Sequence, residues 1–150
     1  MKAIFYVFGL FLGIVLALHL SMNGKVGASI GNPRVANAVF WTIGGAMAIL
    51  IGASGWQSGA LSVLKQVHPL LLTAGAIGAC LVFAIAWMQP QVGARGMFMT
   101  LIAGQVLGGM ILSHYGWLGS PVQRISLING LGALLMLGGV YFATYVKLSY

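Results

Sequence analysis

PLLLTAGAIGACLVFAIAWMQPQVGARGMFMTLIAGQVLGGMILS, residues Pro69–Ser113, contains a single formally charged side chain, that of Arg95. Two apolar runs, Pro69–Met88 and Gly96–Ser113, flank the polar interruption QPQVGAR at Gln89–Arg95. A helix rises about 1.5 Å per residue, so about 20 apolar residues cross the hydrocarbon of a bilayer. The pattern therefore predicts two membrane-spanning helices joined by a short turn.

Working outward, the same criterion selects Ile4–Leu20, Val35–Ala53 and Ile125–Val146. None of the five segments contains Lys or Arg, which cost about 2.5–3.5 kcal/mol at mid-membrane. The cations stand at the borders: Lys2, Lys25, Arg34, Lys65, Arg95, Arg124 and Lys147. Breakers agree with the segmentation. GNPR (Gly31–Arg34) opens the second span, His68–Pro69 opens the third, and Gly119–Pro121 precedes the fifth. Trp56, Trp87, Trp117, Tyr6, Tyr115 and Tyr145 lie near span ends, where an aromatic belt belongs. Ser54–Gln66 either extends the second helix or lies in the interface. The N-terminal run resembles a signal peptide but lacks a small-x-small cleavage site, so it reads as a retained first span. The expected fold is an all-α integral membrane protein, a single five-helix transmembrane domain over residues 1–150.

Composition sharpens this. The 150 residues are 60% hydrophobic and 5% charged, against about 25% charged in a soluble domain, and mean hydropathy is +1.02. There is no Asp and no Glu. That removes the groups that perform most general acid–base chemistry and bind most hard metals and organic cations. An enzyme is not expected, and neither is a cofactor or a metal. Cys80 is the single cysteine, so no disulfide or thiolate zinc site can be built. Ser113 beside His114 lacks an acid partner for a triad, and His68 with His114 has no supporting haem pattern. The net charge of +7 is scattered, unlike a nucleic-acid-binding patch.

An odd number of spans puts the termini on opposite sides. The N-terminal face then holds Lys2, Lys65 and Arg124, and the other holds Lys25, Arg34, Arg95 and Lys147. So small an asymmetry determines orientation weakly. Dual insertion with an inverted copy, and one orientation set by helix order or lipid, both remain open. An inverted pair would supply the two halves that rock in alternating access.

Small-xxx-small pairs, which let helices approach closely in lipid, occur at Gly9 and Gly13, Ala74 and Gly78, Gly104 and Gly108, and Ser126 and Gly130. Polar groups at lipid depth are few, and each is a pathway candidate. These are Gln105 and Asn129, each able instead to bridge helices, and His19 with Asn23, an i, i+4 pair on one face. Trp41, early in the second span, offers a stacking face.

The run Gly75–Gly119, with its glycine-rich third span, P-x-x-G turn and fourth-span GQ, resembles the YdcZ-type five-span branch of the drug/metabolite transporter superfamily. Leu16–Pro33 and Gly130–Phe142 resemble that branch's first and last spans. The resemblance implies a bacterial inner-membrane exporter that works as a dimer or with a paired homologous subunit. It maps the family's fourth-span Gln onto Gln105 and its first-span Asn onto Asn23. Two positions depart: His19 stands where Gln is frequent, and Ser113 where Asp is usual. The four-span multidrug relatives use a first-span Glu, and no such carboxylate exists here.

The sequence thus predicts a transporter of a small neutral, amphipathic or anionic molecule, lined by His19, Asn23, Trp41, Gln105 and Asn129. The alternatives are a non-transporting scaffold or regulatory subunit, or a passive pore. Its partners are the lipid bilayer, a second copy or homologue (antiparallel in one arrangement) and the solute.

Overall fold

The computed structural model describes residues 2–145 and is all-helical. Val146, which ends the fifth predicted span, and Lys147 lie outside those residues. The helices are α1 (Lys2–Ser29), α2 (Pro33–Ser54), α3 (Ala60–Leu64), α4 (Pro69–Leu72), α5 (Ala74–Val92), α6 (Ala94–Tyr115) and α7 (Leu127–Tyr145), with a 3-10 turn at Trp117–Gly119. Five segments are long and apolar enough to cross a bilayer: Ala3–Ser29, Pro33–Ser54, Pro69–Val92, Ala94–Tyr115 and Leu127–Tyr145.

The boundaries differ from the predicted ones where polar residues stay helical. α1 does not stop near Leu20 but runs to Ser29, because no breaker intervenes before Gly31. Its 27-residue apolar segment is about 40 Å long, more than the ~30 Å hydrocarbon, and a helix of that length tilts or projects into the headgroups. Lys25 is exposed in its last part, where a lysine stem can reach the interface. The predicted turn Gln89–Arg95 shrinks to Gly93, whose φ of 78° suits glycine. Pro90 lies inside α5 and has no N–H to offer the Ala86 carbonyl. The ambiguous Ser54–Gln66 does not extend α2; it contains the separate helix α3.

The α1–α2 connection is closed by local chemistry. Gly31, at φ 65°, donates from its N–H to Ala28 O, and Asn32 N–H donates to Gly27 O, a Schellman ending of α1. Asn32 Oδ1 then accepts from the N–H groups of Arg34 and Val35, both at 3.2 Å, capping α2 with Pro33 in its first turn.

The chain divides between Gln91 and Val92 into two compact units. In the first, α1 packs on α2, and the approach is tightest at Gly27, where a Cβ would stand 3.2 Å from Pro33 Cα. At Gly24 a Cβ would meet Gln89 Oε1 at 3.4 Å and Ala86 O at 3.5 Å, so α1 also touches α5. Leu20, Ala36, Ile85 and Ala86 form this unit's small core.

In the second unit α6 packs on α7, with Met97 and Ala103 buried. The loop after α6 folds back on that helix's end. Gln123 N–H donates to Ser113 O at 2.8 Å, Ile125 N–H donates to His114 Nδ1 at 3.0 Å, and the Ser113 and Ser120 hydroxyls are 3.2 Å apart.

Nearly everything else faces outward. At most 11% of any span's most apolar window is buried, and none of α7's. Such a surface needs hydrocarbon around it. Of the predicted packing pairs, Gly78 lies against Trp41, while Gly9, Gly13, Gly104, Gly108 and Gly130 have nothing within 4 Å of an added Cβ among the described residues. The contacts at Gly24 and Gly27 lie outside those pairs.

Gly27→Val is therefore expected to wedge α1 from α2 and cost about 1–3 kcal/mol, lowering the thermal midpoint in lipid nanodiscs. Gly9→Val, with open space around it, should leave the midpoint nearly unchanged.

Candidate functional site

In hydrocarbon a polar group without a partner costs several kcal/mol, so unpaired buried polar atoms identify where a structure is waiting for something. Among the described residues six such side-chain atoms occur. Five belong to α1, α2 and α5: His19 Nε2, Asn23 Nδ2, Asn37 Oδ1, Trp41 Nε1 and Gln89 Oε1; the sixth is Thr144 Oγ1 of α7.

Helical spacing sets the grouping. His19 and Asn23 share one face of α1, and Asn37 and Trp41 share one face of α2. Between α1 and α2 lies a cleft of about 350 Å³ lined by His19, Met22, Asn23, Val26, Ala36, Val39, Phe40 and Ile43. Its walls are apolar apart from the imidazole and the carboxamide. Asn23 is 3% exposed, so water does not satisfy its Nδ2. The His19 ring lies 4.5 Å from that of Phe40, tilted by 33°, and Phe40 meets Trp41 edge-on at 5.9 Å. An aromatic run thus leads from the cleft wall into α2.

The other pair on α2 faces α5. Asn37 Nδ2 donates to Ala79 O at 3.4 Å, and a Cβ on Gly78 would stand 3.5 Å from Trp41 Cη2. Glycine at 78 lets the indole lie flush against the α5 backbone. Behind the cleft, Gln89 Nε2 donates to Ser21 Oγ at 2.9 Å, tying α1 to α5. Asn37, Gln89 and Ser21 were not among the predicted lining residues. Asn37 had a legible signal, its i, i+4 relation to Trp41, whereas Gln89 was assigned to a turn that is in fact helix.

The remaining predicted residues lie elsewhere. Asn129 stands in the first turn of α7, where its Oδ1 accepts from Ser126 N–H at 3.0 Å and from the Ser126 hydroxyl at 2.7 Å, while its N–H donates to Ser126 Oγ. That reciprocal cap starts the helix. Gln105 is exposed on α6, beside the open spaces at Gly104 and Gly108. Both belong to the second unit, whereas the α1–α2 cleft belongs to the first.

The other histidines are cap acceptors: His68 Nδ1 accepts from Leu70 N–H and His114 Nδ1 from Ile125 N–H. Among the described residues no three of His, Cys, Asp and Glu converge as a metal site would require. The cleft can hold an apolar body and orient one polar head.

The sequence model of a family described as "Putative inner membrane exporter, YdcZ" matches residues 4–142. No curated protein and no solved structure matches the chain.

If the unpaired atoms await a ligand, removing one should help the empty protein. Asn23→Leu is expected to raise the thermal midpoint, by about 1 kcal/mol of stability or more. Ser21→Ala strands Gln89 Nε2 and should lower it by about 1–3 kcal/mol. A lower midpoint for Asn23→Leu would mean that the amide is already satisfied.

Proposed function

We propose, for a chain that belongs to the YdcZ family of inner-membrane exporters, that it carries a small organic molecule across the membrane by alternating access, working with a second copy or a homologous subunit. Membership makes it a multi-pass inner-membrane protein with a transporter's role rather than an enzyme's. The observation that carries the further reading is the cleft between two spanning helices, with the buried amide of Asn23 and the imidazole of His19 unpaired in it. A purely structural pair of helices gains nothing by keeping such groups unsatisfied, whereas a carrier needs them free to receive solute.

The absence of Asp and Glu removes the carboxylate route to proton and cation exchange. Solute is instead held by dipoles and by contact with Phe40, Val39 and Ile43. Such a site suits a molecule without positive charge. The cations nearest the cleft in sequence, Lys25 and Arg34, reinforce that preference.

Pairing draws support from α6. Gln105 is an exposed primary amide near the middle of a spanning helix, and an amide at lipid depth is stable only with a partner. Gly104 and Gly108 leave room beside it for another helix. A second subunit supplies both the partner and the opposite half of an alternating-access pathway.

The test is counterflow of neutral and anionic amphipathic solutes in liposomes containing the purified protein. Saturable counterflow that Asn23→Leu reduces at least about tenfold, in a variant that still melts cooperatively, is the expected result. Flux linear in concentration would identify a pore. No flux for any solute, with Gln105→Asn and Asn129→Gln changing only the melting temperature, would identify a scaffold.

A further inference from the structure

The chemistry of the α1–α2 cleft specifies more than a small molecule. Its two polar groups are a carboxamide nitrogen, which only donates, and an imidazole nitrogen, which donates in the Nε2–H tautomer. Both nitrogens are buried and lack partners, and their two residues line the same 350 Å³ space. Asn23 at 3% exposure cannot turn its amide to water. The remaining walls, Met22, Val26, Ala36, Val39, Phe40 and Ile43, are apolar.

We infer that this cleft is an acceptor-reading subsite for an uncharged amphipathic solute, whose carbonyl-type oxygen is received by Asn23 Nδ2 and His19 Nε2 while its apolar part lies along Val39, Phe40 and Ile43. The inference rests on the reading of the cleft as part of the solute's path and adds the head group it selects. An sp² oxygen has two lone pairs, so one carbonyl has the capacity to accept from two donors. An ammonium head brings donors to the two unpaired nitrogens, has only the neutral Asn23 Oδ1 to donate to, and finds no carboxylate anywhere in the chain. Its desolvation would go uncompensated. A carboxylate head finds donors but no formal counter-charge inside the cleft, so it too loses more on leaving water than a neutral carbonyl does.

The probes are hexanamide, hexanoate and hexylammonium, which share an apolar chain and differ at the head. Binding is read from the side-chain ¹⁵N–¹H signals of Asn23 in nanodiscs, assigned by their disappearance in Asn23→Leu. Hexanamide is expected to shift these signals saturably, with hexylammonium at least tenfold weaker. His19→Phe, which keeps a planar ring against Phe40, should weaken hexanamide about fivefold. Asn23→Asp supplies the missing counter-charge and should reverse the order, so that hexylammonium binds tighter than hexanamide; as Asp has no side-chain nitrogen, binding to this variant is read from the ¹⁵N signals of the His19 ring.

Equal shifts by all three heads, tighter binding of hexanoate or hexylammonium to the unaltered protein, or an unchanged order in a folded Asn23→Asp variant would overturn the assignment. So would Asn23 signals that ignore hexanamide but differ between ester- and ether-linked lipids, since a lipid carbonyl would then be the occupant. Binding is measured without flux, so the two readings fail separately. Head-group selection without counterflow removes the transport role alone, and counterflow without head-group selection removes the subsite alone.

Discussion

Hydrocarbon supplies neither donors nor acceptors, so every polar group carried into it must find its partner within the protein. Most of this chain obeys that constraint by simple means. Its backbone is helical, its outward surface is apolar, and its helix ends are closed by nearby side chains. Asn32 caps α2, His68 caps α4, and Ser126 with Asn129 caps α7. His114 and the Ser113 carbonyl bind the loop that follows α6. Against that background, five of the six unpaired buried side-chain atoms among the described residues fall on α1, α2 and α5, the sixth being Thr144 Oγ1 of α7. In a native fold, such groups concentrate where a ligand is expected to satisfy them.

A chain without Asp or Glu meets the solute problem differently from a carboxylate-based carrier. A buried carboxylate binds by charge and exchanges its ligand for a proton. A carboxamide and an imidazole bind by direction, and their pull on a neutral head is modest. Modest binding suits transport, because a site that must release its cargo on the far side gains nothing from holding it tightly. In the proposed subsite the apolar walls of the cleft would contribute the area, and the two nitrogens the orientation.

The glycines divide into two kinds. Gly24, Gly27 and Gly78 face neighbours within the chain: a Cβ at Gly27 would press on Pro33, and at Gly24 and Gly78 it would make ordinary contact with α5 and the Trp41 indole. Gly9, Gly13, Gly104 and Gly108 face open space among the described residues, with Gln105 exposed between the last two. Small residues at a lipid-facing surface are poor at filling space but good at admitting another helix. The first kind closes the unit that holds the cleft, and the second leaves a surface suited to a partner.

Residue order alone determined that the chain is helical and that five of its segments are long and apolar enough to cross a membrane. Those properties follow from apolar run length and from the cost of charge in lipid, both of which are local. The shared face of His19 and Asn23 is local too, since it follows from 3.6 residues per turn. Tertiary structure decided the rest. It made Gln89 an interhelical bridge to Ser21 when the turn contracted to Gly93. It also left Gln105 exposed. Whether a polar side chain is paired, capped or stranded depends on which atoms another helix brings within about 3 Å, and no periodicity along one helix contains that information.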